Sequence, residues 1–145
     1  MPDRGVSTAL GYVLALAMTA LLITGLLVAG GDFVRDSQKQ VVRQELQVVG
    51  NHVASNIELA DRLAVAGDDT HEVTITRSLP EQVTGASYGI ELVAESDPYL
   101  RLNSTRPDVS VEIEVDNSTA LGDSYADGGD VTVELDSGEL VIRNG

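Results

Sequence analysis

The chain has 145 residues, 23 acidic and 9 basic side chains, two histidines and no cysteine. A net charge of −14 with so few lysines and arginines argues against nucleic acid as a partner, because phosphate contacts need clustered cations. The missing cysteines exclude a disulfide framework, a thiolate metal site and a lipid-bearing cysteine.

The first element is an uncharged run of 26 residues, 6–31, behind a short head that carries Asp3 and Arg4. As a helix it measures ~39 Å at ~1.5 Å per residue, against the ~20 apolar residues that cross a bilayer. A membrane span is therefore expected, with Arg4 on the inside and the remainder outside. The run is too long for the apolar core of an ordinary signal peptide, which leaves a cut near Ala29-Gly30-Gly31 as the weaker alternative. Gly11, Thr19, Thr24, Gly25, Gly30 and Gly31 interrupt the large aliphatics and allow close approach of another helix.

A second helical pattern is predicted from about Phe33 to Ala66. Val42, Leu46, Val49, Val53, Ile57, Ala60 and Leu63 or Ala64 form one apolar stripe. Arg43, Gln44, Gln47, Asn51, His52, Ser55, Glu58 and Arg62 lie off it, and Gly67-Asp68-Asp69 reads as the stop. The two helical stretches can fuse into one, kinked or loosened at the paired glycines.

From Glu72 the period changes to two. Val73 and Ile75, Ile90 and Leu92, Leu100 and Leu102, Val109 to Val115, Val131 to Leu135, and Leu140 and Ile142 mark strands. The last two runs predict a β-hairpin with a three-residue turn, Asp136-Ser137-Gly138. One apolar and one acidic face per strand predicts an antiparallel sheet, wet on one side and covered by the helix stripe on the other. The expected fold class is α+β, divided as head 1–5, apolar helix 6–31, amphipathic helix 32–67 and β domain 68–145. Residues 32–145 carry 22 acidic and 8 basic side chains, only one of them lysine, Lys39. That balance fits a protein working at high salt, where ions screen self-repulsion.

Arg4-Gly5-Val6-Ser7 at the lip of the apolar run, followed by a helix and a β-rich body, resembles the archaeal type IV pilin-like proteins, those of halophiles in particular. The resemblance implies a class III signal peptide cut between Gly5 and Val6 by a membrane aspartyl prepilin peptidase. The apolar helix would stay in the mature chain, pack against the helices of other pilin subunits and engage a pilus assembly platform. The implied product is an extracellular adhesive filament or its primer, with no catalysis and no cofactor. Thr8 stands where proline is usual in haloarchaeal pilins, and Leu10 where bacterial pilins carry glutamate. The alternative is a permanently anchored single-pass surface protein that binds a partner through its β domain.

Asn103-Ser104-Thr105 and Asn117-Ser118-Thr119 have the form of N-glycosylation acceptors, both expected at strand ends or loops. Asp123, Asp127 and Glu134 match part of a calcium loop, but Tyr125 occupies a ligand position and no helix-loop-helix surrounds it, so a solvated loop is expected and no metal. His52 and His71 are too isolated to make a metal or catalytic pair.

Overall fold

The computed structural model describes residues 3–67 and 72–145. His71 and the Asp68-Asp69 part of the expected helix stop lie outside the described residues. One helix, α1, runs Asp3–Ala66 and is continuous through Gly30 and Gly31. Asp3 in its first turn complements the positive end of the helix dipole. At the other end, Gly67 N–H donates to Leu63 O at 3.2 Å. The chain forms two compact units, Met1–Gln38 and Lys39–Gly145.

The second unit contains eight strands: β1 (Thr74–Ser78), β2 (Gln82–Val83), β3 (Ala86–Val93), β4 (Tyr99–Thr105), β5 (Asp108–Glu114), β6 (Ser124–Asp127), β7 (Asp130–Asp136) and β8 (Glu139–Asn144). All the pairings between them are antiparallel. The single expected sheet is in fact two: β1-β7-β8, and β2-β3-β4-β5 with β6 on β3. Between them, the 120–122 segment runs beside β8 through a parallel bridge of Leu121 to Leu140, with Leu140 N–H donating to Ala120 O at 2.8 Å and Gly122 N–H to Leu140 O at 3.0 Å.

The expected stripe supplies the helical side of the core. Val42, Leu46, Val49, Val53, Ile57 and Ala60 are buried, in one cluster with Ile90, Leu92, Leu100, Leu102, Val131, Val133, Leu140 and Ile142. Of the two candidates at its end, Ala64 packs on the core while Leu63 stays exposed. Alternation on β5 buries Val109 and Val111 and exposes Ser110 and Glu112, since successive side chains point to opposite faces. Gly89 is buried as well, because the ring of Tyr125 on β6 lies over it.

Three hairpins turn on two residues: Arg106-Pro107 joins β4 to β5, and the other two use positive φ. Thr84-Gly85 joins β2 to β3 with φ of 49° and 75°, and Ser137-Gly138 joins β7 to β8 with φ of 54° and 90°. Positive φ at both central positions is the type I′ geometry that matches strand twist. Asp136 pairs with Glu139 and so belongs to the ladder, which shortens the expected three-residue turn by one.

Candidate functional site

Three places carry chemistry expected from the sequence: the N-terminal apolar segment, the two sequons and the acidic stretch around Asp123.

On the apolar segment, Arg4, Gly5, Val6 and Ser7 are helical and exposed. Large side chains stand in the open along it, among them Leu21 and Leu26, each 73 % exposed. Nothing lies within 4 Å of the space where a Cβ would sit on Gly5, Gly11, Gly25, Gly30 or Gly31. Its three threonines hide their own polarity. Thr8, Thr19 and Thr24 donate their hydroxyls to the carbonyls of Arg4, Ala15 and Ala20, four residues back, at 2.9, 2.8 and 2.8 Å. A hydroxyl satisfied within its own helix costs little in a medium without water. The helix is long and apolar enough to cross a membrane.

The sequons differ in setting. Asn103 does not lie at a strand end or in a loop: it is inside β4, opposite Gly89 of β3 and Ser110 of β5. The neighbouring Ser104 faces the core at 2 % exposure because the alternation of β4 turns it inward. Asn117 lies in the connection between β5 and β6, with its side-chain Nδ2 donating to Thr119 O at 2.7 Å.

Beneath that connection sits Asp61, a carboxylate outside the expected apolar stripe. It is 7 % exposed and accepts hydrogen bonds from Ser118 N–H and Thr119 N–H. Burial pushes its carboxyl upward, but hydrogen bonds from the Thr119 side chain, the Thr119 amide and the Ser118 amide, with Arg62 nearby, hold it below the usual carboxylate range. One signal was legible: Asp61 is four residues after buried Ile57, so an acid occupies a core-facing position.

The acidic stretch is not the expected solvated loop, since Ser124–Asp127 form β6 and pair with β3. Its carboxylates are spent on other work. Asp123 accepts from Ala94 N–H at 2.7 Å, Asp127 accepts from the Tyr125 hydroxyl at 2.8 Å, and Glu134 on β7 pairs with Arg143 at 2.9 Å. Among the described residues no three His, Asp or Glu side chains come together as metal ligands. His52 is exposed on α1. On the solvent face of the larger sheet, Arg101 lies between Glu91 at 3.1 Å and Glu112 at 3.4 Å, its guanidinium over the Tyr99 ring.

An α+β chain with one helix able to cross a membrane and a β body packed on that helix's second half is the class these features define. The chain belongs to the family of unknown function DUF7266, matched over residues 1–143. Neither the curated proteins nor the solved structures contain a match to it.

Proposed function

We propose that this chain is a type IV pilin-like subunit. It enters the membrane through residues 6–31, loses its head between Gly5 and Val6 to a prepilin peptidase, and passes through an assembly platform into an extracellular filament, or primes one. Adhesion or surface interaction is the task of that filament.

The observation that carries this reading is the contrast along one helix. The stripe from Val42 to Ala60 is covered by its own β body, whereas the aliphatics between Val6 and Val34 stand exposed. Such a surface needs an apolar environment, first lipid and then the helices of other copies. The self-satisfied threonines and the open space at the glycines suit both environments. Removal of the head takes away Asp3 and Arg4, the charges that resist withdrawal from the bilayer.

Mass spectrometry of the full chain extracted from membranes tests the reading. A mature chain that begins at Val6 is the expected result, and Gly5→Phe is expected to retain the head. A chain that still begins at Met1 or Pro2 overturns it in favour of a permanent anchor.

A further inference from the structure

The asparagines of both sequons are exposed, yet their backbones are not equally available. Asn103 sits between two hydrogen-bonded neighbours, and the next residue, Ser104, points into the core with its hydroxyl unpaired among the described residues. To deliver Asn103 to an enzyme, β4 would have to leave both β3 and β5. That would uncover Leu100 and Leu102, each fully buried. Asn117 and Ser118 are exposed and outside every strand pairing.

Asn117 also has room around it. It stands on the rim of two open clefts, one of about 290 Å³ beside Glu58, Arg62 and Asp116, the other of about 220 Å³ beside Glu95, Ser96 and Pro98. Both present the polar groups that sugar hydroxyls bond to. Asp61 holds the amides of Ser118 and Thr119 from beneath, which fixes the connection with Asn117 outward.

We propose that Asn117 carries an N-linked glycan added to the already folded body, and that Asn103 stays bare. The inference rests on the exported body proposed above. In the transfer, Asn117 Nδ2 attacks the anomeric carbon of a phosphate-activated sugar. The new C–N bond forms as the bond from that carbon to the phosphate oxygen breaks. The phosphate leaves with the electron pair, and the Nδ2 proton passes to a base of the transferase.

Glycopeptide mass spectrometry on the full-length chain, isolated from the cell that makes it, is the test. Wild type and Asn103→Gln are expected to carry one glycan mass, on the peptide that contains Asn117. Asn117→Gln is expected to lose that mass entirely, and Thr119→Ser, which keeps the hydroxyl, to retain it. Sugar on Asn103, on both asparagines or on neither in the wild type overturns the proposal. The same spectra report the mature N-terminus separately. A chain beginning at Val6 with a bare Asn117 defeats the modification and leaves the pilin reading standing; an uncut chain with a modified Asn117 does the reverse.

Discussion

Gly50 of α1 lies so close to Leu102 of β4 that a Cβ on the glycine would stand 2.9 Å from Leu102 Cδ1, and 2.8 Å from Ile113 Cγ1. The absent side chain is what lets the helix backbone settle onto the larger sheet. Gly50→Ala adds about 1 kcal/mol of helix propensity and spends it on crowding, so it is expected to be near neutral. Gly50→Val has no such compensation and is expected to cost about 1–3 kcal/mol in guanidinium unfolding.

Asp61 works in the opposite sense, since it supplies polarity where the core needs it. Asp61→Ala takes the carboxylate acceptor from the part-buried hydrogen bonds of the Ser118 and Thr119 amides and is expected to cost about 1–3 kcal/mol. The folded-state carboxyl lies below its ordinary value. Its contribution is therefore fully present above the unfolded-state value and disappears as pH falls through the folded one. Unfolding midpoints measured at descending pH are expected to drop less steeply in Asp61→Asn than in wild type.

Tyr88 is 3 % exposed and donates its hydroxyl to Pro80 O at 2.6 Å. Burial pushes its phenol up to about 12. Folded protein then binds more protons than unfolded protein between the ordinary tyrosine value and about 12, so this contribution is full below that window and is lost as pH rises through it. Ultraviolet titration is expected to show Tyr88 ionising last, and the late step is expected to vanish in Tyr88→Phe.

Thr84 pays for its place in the β2–β3 turn. A β-branched residue at φ 49° is strained, and its hydroxyl bond to Glu45 at 3.0 Å is exposed and worth little. Thr84→Asn creates the Asn-Gly pair that type I′ turns favour, and is expected to raise stability by about 0.5–1 kcal/mol in thermal unfolding.

Charge adds a dependence on salt. Residues 32–145 hold a net −14, and lowering salt from molar to millimolar stretches the screening length from about 3 Å toward 30 Å or more. Helix and sheet signals in circular dichroism are expected to fall over that range and to return when salt is restored. Spectra that do not change would remove the high-salt argument.

Much of this fold was legible because its apolar residues keep strict periods. The alternation from Val109 to Val115 and the stripe from Val42 to Ala60 announce β5 and the buried half of α1 directly. β6 was hidden because Ala126 is its one buried side chain, and alanine contributes almost no periodic signal. β2 has two residues, too few for a period to exist. Asp61 marked an anomaly on the stripe, but its meaning came from amides 57 and 58 positions away, which no local pattern can supply. Both sequons could be read at once. Their inequality could not, since it depends on which neighbours flank β4.

β5 closes its sheet: among the described residues only β4 pairs with it. Its outward-facing side chains include Asp108, Glu112 and Glu114, all exposed. A second β5 laid antiparallel along this border would set carboxylates against carboxylates, a mismatch that discourages strand-to-strand zippering. That border of the larger sheet therefore resists taking up the matching strand of a second copy.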